Sequence, residues 1–295
     1  MVITAAMVKE LRDITGAGML DCKKALEVNE GDLQKAIDYL REKGIAKAAK
    51  KADRIAAEGL TSVVVKGNEA VLFELNSETD FVAKNAQFGA LVETIGNILI
   101  DSNVSNTEDA LALSAQGKTV EQMLLEATAT IGEKISLRRV IRVTKEASQG
   151  FGAYKHMGGK ISVLTVTEKE DHEVAKDIAM HICVFNPKFL NREAVDQATI
   201  DHETHIIKEQ MAQDASLANK PEKVLAGILQ GKLSKVLQEV VLVDQAFVKD
   251  PNIKVSQYLK NNNNNVLNYV RLEVGEGIEK RQDNFAEEVM AQIKK

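Results

Sequence analysis

The residues best placed to do chemistry are histidines and carboxylates that fall close together. His202-Glu203-Thr204-His205 has the outline of a zinc-protease motif, in which two helical histidines hold the metal and the glutamate serves as base. That chemistry needs histidines four apart, and these are three apart. Residues at i and i+3 can still share an ion, but no third ligand stands nearby, so the pair reads as solvated helix-surface histidines. Cys22 and Cys183 lie far apart, match no metal spacing and read as free thiols of a reducing cytosol. No Ser, Cys or Thr occupies a recognisable nucleophile motif. No Gly-x-x-x-x-Gly-Lys-Ser/Thr loop occurs, and Gly275-Glu276-Gly277 lacks the third glycine and the βαβ setting of a dinucleotide site. The expectation is a protein that binds something and makes no bonds, with no catalytic residue, no metal and no cofactor.

One further cluster of polar residues stands out. A β-rich run ends near Asn76 and a helix begins within a few residues. Ser77 with Asp80 three later makes a capping pair, and Thr79 is a second candidate cap. On local grounds alone these residues start a helix while Phe81 anchors it in the core.

The bulk numbers narrow the class. A chain of 295 residues suggests about two domains. Aromatics make up 4% with no Trp, so the core must be built from Leu, Ile, Val, Ala and Met. With 38 Lys and Arg against 43 Asp and Glu the net charge is −5, which argues against a dedicated nucleic-acid binder. No apolar run approaches the ~20 residues of a membrane span. The N-terminus is amphipathic and carries acids, unlike a secretory signal or a transit peptide, so a cytoplasmic protein is expected.

The positioning elements follow from periodicity and punctuation. Thr4 caps a first helix with Val8, Leu11 and Ile14 on one face; Gly16 and Gly18 break it. A second helix runs from about Met19 to Val28, and a third carries Leu33, Ile37 and Leu40. The basic run Arg41 to Arg54 reads as an Ala-rich, solvated helical connector. Leu60 to Lys66 and Ala70 to Leu75 form a hairpin across Gly67-Asn68-Glu69, followed by helices around Phe88–Leu99 and Val120–Ile131. The order then recurs: a strand from Leu137 to Val143, a Gly-rich connection through Gly150, Gly152, Gly158 and Gly159, a strand from Ile161 to Val166, and a helix from Glu173 to Cys183. Between Pro187 and Pro251 two helical arms, Arg192 to Gln213 and Pro221 to Val240, form an inserted antiparallel hairpin. Asn261 to Asn265 reads as a tolerant surface loop, Val266 to Val274 as a last strand, and Arg281 to Lys294 as a terminal helix. The expected class is α+β. The expected divisions are a three-helix module at 1–54, a core at 55–140 and 141–274 with antiparallel strands and the hairpin at about 190–240, and a C-terminal module at 275–295.

Three stretches carry a family likeness. Leu11-Arg12-Asp13-Ile14-Thr15-Gly16-Ala17-Gly18-Met19-Leu20-Asp21-Cys22-Lys23-Lys24-Ala25-Leu26 resembles the N-terminal signature of elongation factor Ts. Glu74 to Asn85 resembles its second signature, and Glu273 to Lys280 its C-terminal stretch. They occur in order, and the likeness covers essentially the whole chain. The resemblance implies a UBA-like N-terminal module, a two-part α+β core, an inserted helical hairpin and a C-terminal helix. It implies a bacterial-type factor with no covalent chemistry of its own that binds the translational GTPase EF-Tu, GDP-bound or nucleotide-free, and speeds GDP release. It places Thr79, Asp80, Phe81 and Val82 against the partner's Mg²⁺ and nucleotide site, Leu11, Met19 and Leu20 at the partner's GTPase domain, and His156, Met157 and Gly158 at another partner domain. In that light Phe81 is a wedge held at a strand-to-helix corner, which loses little entropy on binding, with a carboxylate beside it to act on a metal or its water shell.

Other classes of function remain open on the residues alone. One is a scaffold using the N-terminal module and the hairpin, the latter also a surface on which two copies can pair. Another is an RNA-binding accessory using the Arg41 to Arg54 run.

Overall fold

The amino-terminal helices are set by their caps. Thr4 accepts a hydrogen bond from the Met7 N–H to open α1 (Ala5–Thr15), and Gly16 closes it in the left-handed conformation. α2 (Met19–Val28) follows, and Asp32 accepts from the Lys35 N–H to open α3 (Leu33–Ala49). Val8, Leu11, Cys22, Ala25, Leu26 and Ala36 fill the core between them. α3 runs on through most of the basic segment, so the connector and the third helix are one element. The structure, a computed structural model, describes residues 2–218 and 220–279. The helix expected over Arg281 to Lys294 lies outside the described residues.

Contacts divide the chain into two units. The first holds residues up to Val143, Gly158–Lys160 and the described residues from Leu272 on; the second holds Thr144–Met157 and Ile161–Arg271.

In the first unit, β1 (Glu58–Lys66) and β2 (Glu69–Ser77) pair antiparallel, with Val65 opposite Ala70. A single helical turn, α4 (Asp80–Ala83), leads into α5 (Ala86–Ile100), then α6 (Thr107–Ala112), the short strands β3 (Ser114–Ala115) and β4 (Lys118–Thr119), and α7 (Val120–Ile131). α7 is opened by a capping box between Thr119 and Gln122. β5 (Ser136–Thr144) completes a sheet in the order β1-β2-β5. As the central strand, β2 is buried on both faces. One face, with Val71, Phe73 and Leu75, packs against Phe88, Val92, Ile95 and Leu99 of α5.

In the second unit, β6 (Gly150–His156) pairs antiparallel with β7 (Ile161–Thr167), and β10 (Val266–Glu273) lies on the other side of β7. α8 (His172–Phe185) covers this sheet. α9 (Gln197–Ala212) and α10 (Glu222–Val240) form the inserted hairpin around Ile207, Leu233 and Leu237. β8 (Ala246–Phe247), β9 (Asp250–Lys254) and α11 (Val255–Asn261) precede β10.

The architecture is α+β with antiparallel strands, and four local expectations need correction. The Gly-rich stretch is not a connection: it contains β6. A Cβ on Gly152 would lie 2.1 Å from the Ala175 carbonyl, so the glycine is there to let α8 sit directly on the strand. The strand at Leu137 to Val143 does not open the second sheet; β5 joins the first, and the boundary expected at 140/141 falls inside it. The asparagine run is not a free loop. Asn262 caps α11, Asn263 takes a left-handed φ of 48°, and buried Asn264 accepts from the Lys169 N–H at 3.0 Å and donates to the Lys169 carbonyl at 3.2 Å. First-arm helix also starts later than expected, at Gln197, because Arg192–Ala194 forms a separate 3-10 turn.

Candidate functional site

The corner between β2 and α5 is built residue by residue. Ser77, fully buried at the end of β2, donates its hydroxyl to the Thr79 carbonyl at 2.9 Å. Thr79 is the N-cap of α4, its Oγ1 lying 3.5 Å from the Val82 nitrogen. Val82 and Ala83 turn inward and are buried. Asn85 then caps α5 by accepting from the Gln87 N–H at 2.7 Å. Phe81 is 80% exposed. The local expectation that its ring anchors the helix in the core is therefore overturned: Val82 does that, and the one-turn helix leaves the ring in solvent.

Two residues from the loop after α7 hold this corner. The Glu133 carboxylate accepts from the Thr79 N–H at 2.9 Å and from the Thr79 hydroxyl at 2.7 Å. Glu78 accepts from the Lys134 N–H at 2.7 Å and pairs with Arg54 at 3.2 Å. Asp80 is half-buried beside the wedge, and Lys84 pairs with it at 2.7 Å. That ammonium, with a weaker contribution from Lys160, holds the Asp80 carboxyl below its usual range, so it is an anion at neutral pH.

The other site candidates lie on separate elements. Met19 and Leu20 open α2 without a side-chain cap and are 56% and 84% exposed. Their turn-mates Cys22, Ala25 and Leu26 face the three-helix core, which leaves these two apolar side chains outside. Leu11 departs from the expected contact role, because its side chain is fully buried in that core. His156 ends β6 with Nδ1 3.2 Å from the Tyr154 hydroxyl. Met157 and Gly158 follow in left-handed conformation, and Met157 is 73% exposed.

A buried ionic cluster, not anticipated from the sequence, lies on the opposite face of β2 from α5. Glu74 is fully buried and receives Arg138 at 3.1 Å, Arg139 at 2.5 Å, the Asn76 amide at 2.9 Å and the Gly275 N–H at 2.8 Å. Burial alone would raise its pKa, but the Gly275 N–H, Asn76 and Arg139 together hold it below the usual carboxylate range. The arginines also reach the Glu273 and Glu276 carbonyls at 2.7 and 2.6 Å. Gly275-Glu276-Gly277 is thus part of a tie between the turn after β10 and the first sheet. Gly275 has φ 74°, and a Cβ there would meet the Ala57 carbonyl oxygen at 2.2 Å. The signal in the sequence was an acid directly after the apolar run Ala70–Phe73 and before Leu75.

His202 and His205 are exposed on α9, and among the described residues no group of three or more His, Cys, Asp or Glu side chains could hold a metal. No helix among the described residues is long and apolar enough to cross a membrane.

Comparison with known proteins gives the family. The family model described as Elongation factor TS matches residues 78–276, which begins within the corner and ends within the Glu74-bound turn. Elongation factor Ts of Acholeplasma laidlawii (strain PG-8A) is 72% identical over 296 residues, covering all of both chains. With the family match extending over more than half of its length and that identity over all of it, the chain belongs to the elongation factor Ts family of translation elongation factors.

Proposed function

We propose that this translation elongation factor is a guanine-nucleotide exchange factor for EF-Tu, that it acts without covalent chemistry of its own, and that it works in the cytoplasm. The observation that carries the reading is Phe81: a large apolar ring, 80% exposed, on a capped and externally braced turn, with the anionic Asp80 beside it. An exposed aromatic whose backbone is already held on a braced turn has less freedom left to lose on binding, so more of its burial goes into affinity. Burying such a ring contributes about 1.5–3 kcal/mol.

In this reading the ring enters the partner beside its nucleotide site, and the Asp80 carboxylate competes for the partner's Mg²⁺ or its water shell. Mg²⁺ bridging the phosphates is a large share of nucleotide binding, so loosening it weakens GDP. Met19 and Leu20 would grip the GTPase domain, and the His156-Met157-Gly158 turn a second domain. The factor must bind the nucleotide-free partner more tightly than the GDP form. Linkage then requires that an entering nucleotide weaken the factor by the same ratio, so GTP can complete the cycle by expelling it.

The test is release of fluorescent GDP from EF-Tu with and without the factor. Phe81→Ala and Asp80→Ala should each keep the fold and slow stimulated release. Wild-type release in both variants would remove the corner from the mechanism.

A further inference from the structure

The mount of Phe81 has its own requirement. Because the ring is exposed, packing does not aim it. α4 is four residues long, a single turn, and one helical turn in isolation is unfavourable because several dihedrals are fixed for one hydrogen bond. Val82 and Ala83 hold the turn down from beneath. What remains to set its direction is the residue that starts it, Thr79.

We propose that Glu133 is a positioning residue for exchange: it aims the Phe81 wedge through its paired hydrogen bonds to Thr79. The proposal rests on the exchange reading of this corner. Thr79 directs its backbone N–H at Oε2 and its hydroxyl at Oε1 of the same carboxylate. A two-point grip by an anion fixes the backbone and the χ1 angle of the cap together, and such charge-assisted bonds are about twice as strong as neutral ones. With its proton committed to Glu133, the Thr79 oxygen turns its lone pairs to the Val82 N–H, one of the amides at the start of α4 that have no partner within the helix.

The grip is reciprocal and braced. Lys134, next to Glu133, donates its backbone N–H to Glu78, next to Thr79. Two neighbouring residues of the corner are thereby crossed with two neighbouring residues of the loop. The loop is itself fixed: Lys51, just past α3, donates to the Gly132 carbonyl, and the Lys134 ammonium donates to the Arg54 carbonyl at 3.0 Å. Glu133 is therefore a fixed point from which the corner hangs. It is only half-buried, and Thr79 is too, so water can replace the lost bonds when Glu133 is truncated. The fold should survive while the aim of the ring does not.

The test measures stimulated GDP release from EF-Tu against factor concentration for the full chain and for Glu133→Ala, Glu133→Gln, Phe81→Ala and the Glu133→Ala/Phe81→Ala double variant. Glu133→Ala should lower the maximal release rate about tenfold. Its half-saturating concentration should change by less than about threefold, and its melting temperature by no more than about 4 °C. Glu133→Gln, which keeps one acceptor, should recover part of the rate. The double variant should be no slower than Phe81→Ala alone, because Glu133 acts only through the ring. A slow Phe81→Ala beside a normal Glu133→Ala overturns the positioning role and leaves the exchange reading standing. Additive losses in the double variant, or a rate loss matched by the loss of folded protein, also overturn it. Wild-type release by Phe81→Ala would instead sink the exchange reading of the corner, and the positioning role with it.

Discussion

Glu74 accepts a 2.8 Å hydrogen bond from the backbone N–H of Gly275, a residue 201 positions later. The bond ties the turn after β10 to the central strand of the first sheet, and Arg138 and Arg139 close the arrangement from both sides. Truncating the acid removes the buried carboxylate that two guanidinium groups share and leaves the Gly275 N–H without its acceptor. Glu74→Ala should destabilise the protein by about 3 kcal/mol, the low end for a broken buried ion pair because both arginines keep some solvent contact. Glu74→Gln, which keeps an acceptor for Gly275, should cost less. Urea unfolding measures both, and faster proteolysis near Glu276 should accompany the larger loss. Equal stability of Glu74→Ala and the parent would refute the tie.

The pH dependence should carry two signatures. Glu74 has its pKa lowered by folding, so its contribution is complete above the ordinary carboxylate value and is lost as pH falls through the lower, folded value. His181 acts nearer neutrality. Burial lowers its pKa, although the Gln245 hydrogen bond opposes this. Its Nε2–H faces Gln245 Oε1 at 2.9 Å and its Nδ1 accepts from the Val248 N–H at 3.2 Å, so the neutral ring is the one that fits. The unfolded chain takes up a proton near pH 6.5 that the folded chain refuses. Stability should therefore fall as pH drops below about 7, and level off once the folded ring also protonates. In His181→Gln that slope should be missing; an identical slope would mean that another group causes it.

Glycine substitution separates close approach from turn strain. Gly152→Ala places a methyl 2.1 Å from the Ala175 carbonyl and 2.5 Å from the Lys176 nitrogen, and backbone cannot yield cheaply. It should cost about 3 kcal/mol. Gly67→Ala, with φ 59° and nothing within 4 Å, should cost only the left-handed penalty of about 1 kcal/mol. Thermal melts of the two variants decide it, and equal losses would contradict the helix-on-strand contact.

Local signals carried most of the elements, since caps and periodicity act within a few residues. Thr4 opens its helix where its chemistry says it should, and α2 and α7 begin and end where their apolar stripes do. What failed depended on distant partners. Gly152 looked like a loop residue because the helix that needs its missing side chain lies more than twenty positions on. Asn264 looked tolerant because its partner is Lys169. The polar residues of the corner were legible, but Phe81 divided the reading: local spacing made it a core anchor and the family resemblance a projecting wedge, and the fold leaves its ring exposed with Val82 in the core. Glu133 had no local signal, because its meaning is its distance to Thr79.

Grip and push should be separable in exchange kinetics. Leu20 is 84% exposed at the start of α2, on a different element from the corner, and makes no contribution to the three-helix core. If it only holds the partner, it stabilises ground state and transition state equally. Leu20→Ala should then raise the half-saturating concentration about tenfold, equivalent to about 1.4 kcal/mol, and leave the maximal release rate unchanged. Phe81→Ala should do the reverse, lowering the maximal rate while binding through the remaining surfaces persists. Both changes are of exposed side chains, so urea unfolding should move by no more than about 0.5 kcal/mol in either. A Leu20→Ala variant whose maximal rate falls as far as that of Phe81→Ala would show that the amino-terminal module takes part in expelling the nucleotide and does more than hold the partner.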